Sequence, residues 1–347
     1  MRFILILILL PFSIFSQEKD SLKIKVSGFL ETYYAYDFSS PTTDSKLPFM
    51  YNYNRHNEFN VNNGLIRAQL QYGNTYASIA VHAGTYVDDN YASEDIKLVS
   101  EAYVGMYLND NKKSSIEVGI MPSYIGFESA TTATNLTLTR SILAENSPYF
   151  MTGIKYNYKP SDKWSFSGLV TNGWQRINRP DKTVTPALGT QIIYKPSEKA
   201  TLNWITFIGK EFYGTELAMR YFSNLYWDNT WNSKWRTILG FDFGIQDSSS
   251  MNDEHLFWMS PVFIAQYSIN PKWQTAVRVE YYQDEDNVIV ATSDAFKTSG
   301  ASINFDYLLN SKVKLRTEAR YFDSKEAIFF DTKTNNFFVT TSLSFEF

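Results

Sequence analysis

Charged side chains recur at alternate positions within several otherwise apolar segments of this sequence. In residues 273–282, for example, Arg278 and Glu280 share one parity, whereas the apolar Val279 lies on the other. Side chains of one parity point to the same side of a β-strand, so these charges would face a common surface. Such a surface can attract ions, orient polar solutes or hold itself together by ion pairs. The charges that we single out on polar parities are Arg67, Glu101, Arg236, Asp242, Arg278, Glu280, Arg316, Glu318 and Arg320.

Two interpretations of these charges remain open. If they faced lipid, each arginine would cost about 2–4 kcal/mol near the bilayer midplane and each carboxylate somewhat less, so they must face water or one another. In the functional interpretation they line a pore and set its ion and solute preference. In the structural interpretation they form cross-strand ion pairs that fill a partly closed lumen. Different members of the set can serve each purpose.

The positions of the turns indicate which elements carry these charges. Seven short connections have the Asn, Asp, Pro and Gly residues of tight hairpins: 73–75, 109–113, 160–163, 196–199, 228–233, 270–272 and 310–312. Eight longer connections alternate with them: 39–58, 87–98, 122–148, 172–186, 209–217, 247–255, 285–296 and 323–334. Fifteen connections join sixteen strands. An even strand number with short turns at one end and long loops at the other is typical of a bacterial transmembrane barrel.

The sequence therefore predicts an all-β fold, a transmembrane antiparallel β-barrel of about 16 strands. Ten strand residues rise about 33 Å, which suffices to cross an apolar band of about 25 Å when tilted. The short turns are expected on the periplasmic side and the long loops outside the cell. Strand 2, residues 58–72, alternates least clearly, so we expect a bulge or an irregular start there.

The N-terminus indicates export. Residues 1–16 contain one basic residue, Arg2, then a short apolar run and small residues, which is the pattern of a secretory signal peptide. We expect cleavage after Ser16, which leaves 17–347 as a single barrel domain in the bacterial outer membrane. The alternative is a retained membrane anchor, but the apolar run is shorter than the roughly 20 residues that a spanning helix needs.

Composition excludes several classes of protein. The sequence has no Cys, so it has no disulfides, thiol nucleophile or thiolate metal site. Lys and Arg number 32 and Asp and Glu 36, and removal of Arg2 changes the formal charge from -4 to -5 (31 minus 36). This mild acidity argues against a nucleic-acid partner. Aromatic residues make up 17% of the chain, which suits a barrel whose apolar face contacts outer-membrane lipid.

Aromatic residues beside the short turns are expected to form a girdle at one membrane interface. They are Tyr72, Tyr158, Trp164, Tyr194, Trp227, Trp235, Tyr267, Trp273, Tyr307 and Phe347. The last of these ends the final strand, which must pair with the first strand if the barrel closes. A C-terminal Phe also resembles the signal that barrel-assembly machinery recognises, so we expect that machinery to be a partner through Phe347.

The longest connection, about 122–148, contains Ile, Leu, Phe and Tyr as well as charges. A loop of this length in a compact domain is usually functional or disordered, and its apolar content argues against disorder. We expect it to fold into the lumen as a constriction that presents Glu128, Arg140 and Glu145. The alternative is a lid packed over the mouth of the barrel.

Several runs in and around this connection are similar to the outer-membrane "putative beta-barrel porin-2" (OmpL-like) family. They are 120–129, 138–141, 144–149 and 172–177, and 84–87 and 101–105 fit the family too. The resemblance spans essentially the whole mature chain. It implies a porin-like barrel, but no particular solute and no catalytic residues.

Enzyme motifs are missing from the sequence. His56, His82 and His255 are far apart, and no nucleophile elbow, His-Glu-x-x-His motif or phosphate-binding Gly loop occurs. We therefore expect no enzyme and no cofactor. The acidic stretch 88–95 offers hard oxygen ligands for a divalent cation, but a solvated acidic loop is the favoured interpretation.

The function that these patterns favour is a porin-like channel for passive diffusion of small hydrophilic solutes or ions. The alternative is a non-conducting barrel that acts as an adhesin, a receptor or a scaffold through its outer loops. Solute preference, gating and the formation of a homo-oligomer are left open by the sequence.

Overall fold

Sixteen antiparallel strands form a closed barrel in the computed structural model, which describes residues 21–41, 43–179, 181, 185–248 and 255–347. The strands are β1 (Lys23–Asp37), β2 (Phe59–Tyr72), β3 (Thr75–Ala83), β4 (Val99–Tyr107), β5 (Ser114–Pro122), β6 (Phe150–Tyr158), β7 (Trp164–Thr171), β8 (Ala187–Ser197), β9 (Ala200–Tyr213), β10 (Glu216–Thr230), β11 (Trp235–Asp247), β12 (His255–Ser268), β13 (Trp273–Asp284), β14 (Phe296–Leu308), β15 (Val313–Ser324) and β16 (Asn335–Glu346). The predicted fold class is confirmed.

Among the described residues, helical structure is confined to short pieces of the long connections. They are α1 (Thr85–Asn90), a 3-10 turn (Thr132–Thr134) and α2 (Ile142–Glu145). Within the described ranges, no helix has the length and apolar character needed to cross a membrane.

Alternation sorts the side chains of each strand into an outer and an inner face. On β13, Val277 and Val279 are 47% and 55% exposed, whereas the intervening Arg278 is 1% exposed. Apolar side chains thus point outward and charged ones inward, as the period of two predicted. This inversion of the usual soluble pattern is what a barrel surrounded by lipid requires.

Pairs of aromatic residues mark the short-turn end of the barrel. Trp164 stacks on Tyr194 with ring centroids 4.4 Å apart, and Trp273 lies 4.6 Å from Tyr307 across β13 and β14. The turns themselves are held by asparagine. Asn270 Oδ1 accepts hydrogen bonds from the backbone N–H groups of Lys272 and Trp273, which closes the turn locally.

Two details of strand geometry test the sequence predictions. The register between β1 and β2 shifts at Glu31/Thr32, where Asn62 is left without a partner in the ladder, so the expected irregularity in strand 2 is confirmed. The predicted long connection 209–217 is wrong. Strands β9 and β10 continue to Tyr213 and from Glu216, and only Gly214 and Thr215 join them. Gly214 adopts a φ of 61°, which a tight hairpin needs and glycine tolerates.

The barrel closes where β16 pairs with β1. Leu30 lies opposite Phe345, and Phe347 exchanges backbone hydrogen bonds of 2.9 and 3.1 Å with Gly28. Every strand edge among the described residues is therefore paired, which removes the exposed edges that promote aggregation. The seam also brings the two ends of the described chain into one sheet.

Candidate functional site

The connection between β5 and β6, residues 123–149, lies inside the barrel and is called the inner loop below. Its Leu143 packs with Ile238 and Ile264 on β11 and β12. Its Ala133 packs with Phe29 and Leu65 on β1 and β2. Because these walls are on different sides of the lumen, the inner loop crosses the interior and divides it.

Short-range contacts shape the end of the inner loop that returns to the wall. Ser141 caps α2, and its Oγ accepts a hydrogen bond of 3.3 Å from the Ala144 N–H. The first helical N–H group, that of Ile142, donates to Glu280 Oε2 on β13 at 2.7 Å. The Ser141 cap and the Glu280 carboxylate of the barrel wall thus both bind N–H groups in the first turn of α2 and hold it in place.

Arg278 on β13 holds the middle of the inner loop. Its Nη1 donates to Thr137 Oγ1 at 3.0 Å and to the Thr139 carbonyl at 2.7 Å. Its Nη2 donates to Thr139 Oγ1 at 3.0 Å and to Glu318 Oε1 on β15 at 2.7 Å. Glu318 Oε2 in turn accepts the Thr139 N–H at 2.6 Å. Both polar groups of the Thr139 backbone are therefore satisfied by an ion pair of the wall.

Arg320 and Arg316 extend this attachment along β15. Arg320 donates to the Arg140 carbonyl at 2.7 Å and to Glu280 Oε1 at 2.6 Å. Arg316 makes two bonds to Asp306 on β14, and it donates to the Thr132 carbonyl at 2.9 Å. A guanidinium group can bind a carboxylate and a carbonyl at once because its donors form a planar fork.

These wall charges face the lumen but not open space. Arg278, Arg316 and Arg320 are at most 1% exposed, because the inner loop covers them. Of the two interpretations that the sequence left open, the structural one describes these side chains. Their ion pairs fill part of the lumen and anchor the inner loop.

Arg236 and Asp242 lie apart from this network. Arg236 forms a bidentate pair with Asp228 on the neighbouring strand, at 2.9 and 2.6 Å. Asp242 accepts a hydrogen bond from Asn224 and is buried. Neither contacts the inner loop through a hydrogen bond that the structure records, so spacing alone overestimated how many interior charges belong to one site.

A cavity of about 300 Å³, the main cavity, remains between the inner loop and strands β2 to β5. Four predicted site residues line it: Arg67, Glu101, Glu128 and Arg140. Arg67 donates to Glu101 Oε1 through Nε at 2.9 Å, and Ser78 donates to Glu101 Oε2 at 2.9 Å. These two charges therefore neutralise each other on the barrel wall.

Arg140 has a different environment from every other predicted arginine. It is 2% exposed and its guanidinium lies 3.7 Å from the centroid of the Tyr149 ring. Its Nε and Nη1 make no hydrogen bond within the described part of the chain. Stacking on the ring stabilises the cation but leaves these in-plane donors unused.

Glu145 and Tyr149 complete a cluster with Arg140 that we call the junction. The Tyr149 hydroxyl donates to Glu145 Oε2 at 2.7 Å, and the same oxygen accepts the Tyr51 N–H at 2.8 Å. Asn52 Nδ2 donates to Glu145 Oε1 at 3.1 Å. The residues around position 52 belong to the first long connection, so the junction ties two loops together.

A second cavity, the loop-side cavity, has a volume of about 220 Å³ and lies among the long connections. Glu145 lines it, whereas Tyr149 and Arg140 line the main cavity. The hydrogen bond between Tyr149 and Glu145 therefore connects residues of the two cavities. Arg176 and Arg220 also line the loop-side cavity, together with Trp174.

Sequence reasoning missed Tyr149 and Asn63, which line the main cavity. Tyr149 follows Pro148 at the base of the inner loop, and an aromatic residue there was the available signal. Asn63 lies next to the bulge of β2, and nothing in the sequence distinguishes it from other strand residues. Only the folded loop reveals what these two side chains face.

Burial also alters the electrostatics of the loops. Burial raises the pKa of the Glu128 carboxyl, although Arg278 and the hydrogen bonds from Ser141 oppose the shift. Its Oε1 lies 3.9 Å from Arg278 Nη1 and makes no hydrogen bond among the described residues. Burial lowers the pKa of Lys46, in the first long connection, to about 7, and the Asp37 carboxylate opposes this shift.

The acidic stretch 88–95 is engaged with neighbouring loops. Asp89 pairs with Arg55 at 2.6 Å, and Glu94 Oε2 accepts the Ile177 N–H at 3.2 Å. In the described ranges, no cluster of three or more His, Asp or Glu side chains has a metal-binding arrangement.

Comparison with known proteins gives one family and a shared fold. A family model described as "Putative beta-barrel porin-2, OmpL-like" matches residues 23–347. No curated protein matches the chain in sequence.

Solved structures with a similar fold are outer-membrane proteins. The outer membrane channel DcaP of Acinetobacter baumannii is 13% identical, with a TM-score of 0.67 and coverage of 94% of this chain and 97% of that chain. An anion-selective porin from Comamonas acidovorans is 10% identical, with a TM-score of 0.62 and coverage of 94% and 100%. OmpF of Salmonella typhi in complex with daunomycin is 12% identical, with a TM-score of 0.58 and coverage of 93% and 97%. At such low identity, the likeness shows the fold alone.

Proposed function

Because the chain belongs to the "Putative beta-barrel porin-2, OmpL-like" family, we propose that small hydrophilic solutes cross its barrel through the main cavity, the junction and the loop-side cavity. The protein is an outer-membrane channel for diffusion of such solutes. The proposal concerns the route and the residues along it, since one side of the lumen is filled by the anchored inner loop.

The observation that carries this route is the position of the two cavities. The main cavity and the loop-side cavity are lined by different residues of the inner loop, and one hydrogen bond between Tyr149 and Glu145 joins their linings. A hydrogen bond to a charged carboxylate contributes about 1.5–3 kcal/mol net, which thermal motion can still overcome. The junction is therefore the narrow step of the route, and Arg140 and Glu145 give it opposite charges.

Replacement of Tyr149 by alanine tests the route. The Tyr149→Ala variant should show a larger single-channel conductance than the wild type in planar bilayers, because the side chain between the two cavities is removed. Tyr156→Ala is the matched control, since Tyr156 is on β6, the strand that directly follows Tyr149, and is 43% exposed on the outer face. Its conductance should equal that of the wild type.

The same recordings distinguish the alternatives. Equal increases in Tyr149→Ala and Tyr156→Ala would mean that the route lies elsewhere. Purified wild-type protein that gives no conductance steps would favour a non-conducting barrel, which acts as an adhesin, receptor or scaffold.

We propose that the remaining features serve export and assembly. Residues 1–16 lie outside the described residues, and their removal would leave Gln17 as the first residue of protein isolated from outer membranes, which N-terminal mass spectrometry measures. Barrel-assembly machinery would recognise Phe347. A homo-oligomer would bury part of the outer aromatic surface, which crosslinking in membranes detects.

We also propose that the channel has no catalytic activity. The three histidines serve structural contacts: His56 Nδ1 accepts the Asp37 N–H at 3.0 Å, His82 Nε2 lies 3.0 Å from the Lys97 carbonyl, and His255 lies 3.0 Å from Asp247. None of these contacts includes a serine or a threonine that a base could activate.

A further inference from the structure

We propose that the short-turn end of the barrel carries a rim of lysines that concentrates small anions at this mouth and shifts the ion preference of the channel towards anions. The lysine rim consists of the residues that directly precede strands β5, β7, β9, β11, β13 and β15, namely Lys113, Lys163, Lys199, Lys234, Lys272 and Lys312. This inference rests on the channel function and deepens it, because it names the charge class of solute that one mouth favours. It holds for any route that solutes take through the lumen.

Backbone hydrogen bonds place the six lysines at one level of the barrel. The carbonyl of each lysine accepts a bond of 2.7–2.9 Å from an N–H group at or near the end of the next strand. The donors are Lys159, Lys195, Thr230, Ser268, Leu308 and Glu346. Because this ladder position recurs at every second strand, the lysines follow one another along the rim at intervals of about 10 Å, twice the spacing between strands.

The lysines are on the lumen parity of their strands. Lys272 is followed by Trp273, which is exposed on the outer face. Lys312 is followed two residues later by Lys314, whose Nζ donates to the Ala133 carbonyl of the inner loop at 2.7 Å. Since successive side chains point to opposite faces of a strand, the rim lysines begin on the side of the lumen.

Most of the rim charges are available to ions in solution. All six lysines are exposed, and none of them belongs to a salt bridge within the described ranges. Lys113 Nζ donates to the Pro160 carbonyl at 3.0 Å, and Lys234 Nζ lies 5.8 Å from the centroid of the Tyr267 ring, on the outer girdle. In the described part of the chain, no side-chain partner is recorded for the other four, which are Lys163, Lys199, Lys272 and Lys312.

The short-turn end is basic although the chain as a whole is acidic. The turns and the strand ends beside them are residues 73–74, 108–113, 159–163, 195–199, 230–234, 268–272, 308–312 and 346–347. They contain nine Lys and four acidic residues, a formal charge of +5 (nine minus four), whereas the whole chain has -4. At a Debye length of about 8 Å in physiological salt, charges about 10 Å apart have overlapping fields. Such a mouth raises the local concentration of anions.

The turns hold the lysine backbone without the help of the ammonium groups. Asn310 Oδ1 accepts hydrogen bonds from the N–H groups of Lys312 at 2.8 Å and Val313 at 3.0 Å. Asn270 holds Lys272 and the residue after it in the same way. Replacement of an exposed lysine side chain should therefore leave the hairpin intact, so that variants of the rim test its charge alone.

Reversal potentials in planar bilayers of phosphatidylcholine, which has no net charge, test the rim. They give the permeability ratio of chloride to potassium across a KCl gradient near about 0.1 M, where the Debye length is about 10 Å. A triple variant with Lys199→Gln, Lys272→Gln and Lys312→Gln should lower this ratio about twofold or more, because half of the rim charge is lost. The matched control replaces the same three lysines by arginine, keeps the charge and should retain the wild-type ratio. At about 1 M KCl, where the Debye length is about 3 Å, the difference should disappear.

An unchanged ratio in the glutamine variant, or an equal fall in the arginine control, would overturn the proposal. If the ratio is unchanged and the wild type retains more phosphatidylglycerol than the glutamine variant during purification, the lysines bind lipid headgroups instead and the proposal is wrong. If the triple variant does not fold, Lys272→Gln alone carries the test with a smaller fall. Wild-type protein without conductance steps would refute the channel function itself, whereas conductance with one ratio in all variants would refute only the lysine rim.

Discussion

At the scale of single residues, Lys46 is a buried cation whose surroundings favour different protonation states. It is 1% exposed, and its Nζ lies 4.0 Å from the centroid of the Phe338 ring and 3.4 Å from Thr340 Oγ1. Burial disfavours the ammonium form, whereas the aromatic ring and Asp37 favour it. Its pKa of about 7, against an ordinary 10.5, indicates that burial has the larger effect.

The stability of the folded protein should therefore rise with pH between about 7 and 10.5. In this window the unfolded chain binds a proton at Lys46 that the folded chain does not, so the unfolded state is progressively less favoured as protons become scarce. Urea unfolding in detergent at pH 7 and pH 9.5 should show a larger gain for the wild type than for Lys46→Met. Equal gains in both proteins would show that Lys46 is not the group responsible.

Arg140 and Arg278 illustrate what residue type alone leaves undecided. Both are buried arginines in the lumen, and both were predicted to face the interior of the barrel. Arg278 donates to Glu318 and to the inner loop and forms an ion pair with Glu280, whereas Nε and Nη1 of Arg140 make no hydrogen bond in the described ranges. The difference depends on where residues 137–141 of the inner loop run, and no local pattern encodes that course.

At the scale of elements, strands β13 to β15 act as the support of the inner loop. Their charges are spaced two residues apart, as Arg316, Glu318 and Arg320 show, so they form a row along the inner face. The row presents carboxylates to loop N–H groups and guanidinium groups to loop carbonyls. An irregular segment can lie inside a barrel because the wall satisfies its backbone in this way.

Removal of Arg278 should release part of this support. Arg278→Met leaves Glu280 and Glu318 with fewer buried partners, and removal of one member of a buried ion pair costs about 3–5 kcal/mol. We expect a corresponding loss of unfolding free energy in urea titrations. A larger and noisier single-channel conductance should accompany it, because the inner loop would be held less firmly.

The matched control for this variant is Arg236→Met. The Arg236 side chain is 39% exposed and its partner Asp228 is 21% exposed, so the ion pair contributes only about 0–1 kcal/mol. If Arg278→Met had the same unfolding free energy and the same conductance noise as Arg236→Met, the buried ion-pair network would not anchor the inner loop.

At the scale of the whole molecule, the barrel is closed by the seam between β1 and β16. Phe347 and Gly28 exchange backbone hydrogen bonds, and the Phe347 ring occupies the space that a Cβ atom at Gly28 would enter, 2.3 Å from ring atom Cζ. Glycine at position 28 thus allows the terminal ring to lie flat against the sheet. The C-terminal residue is part of the seam rather than a free end.

Replacement of Phe347 tests its proposed role in assembly. Phe347→Ala should lower the yield of folded protein in outer membranes, measured as the fraction that resists unfolding in SDS without heating. Phe345→Ala removes a neighbouring ring on the same face, 41% exposed, and should have the smaller effect. A similar loss in both variants would indicate a general requirement for aromatic packing.

Much of the fold was predictable from the sequence because strand structure is encoded locally. Alternation with a period of two determines which side chains face lipid, and asparagine-rich turns determine where strands end. Strand number, the inner parity of Arg278 and Arg320, and the pairing of β16 with β1 all follow from these short-range patterns. The prediction of a long connection at 209–217 was wrong because the ends of β9 and β10 contain polar residues that are also common in loops.

The function of individual interior charges was decided only by the tertiary structure. Arg278 meets Thr139 across 139 residues of sequence, and Thr132 meets Glu31 across 101. Such contacts depend on the course of the inner loop through the lumen, because the loop covers some charges and leaves Arg140 facing a cavity. Period and composition can assign a side chain to the inside of a barrel, but only the packing of distant segments determines whether it meets water, a solute or another charge.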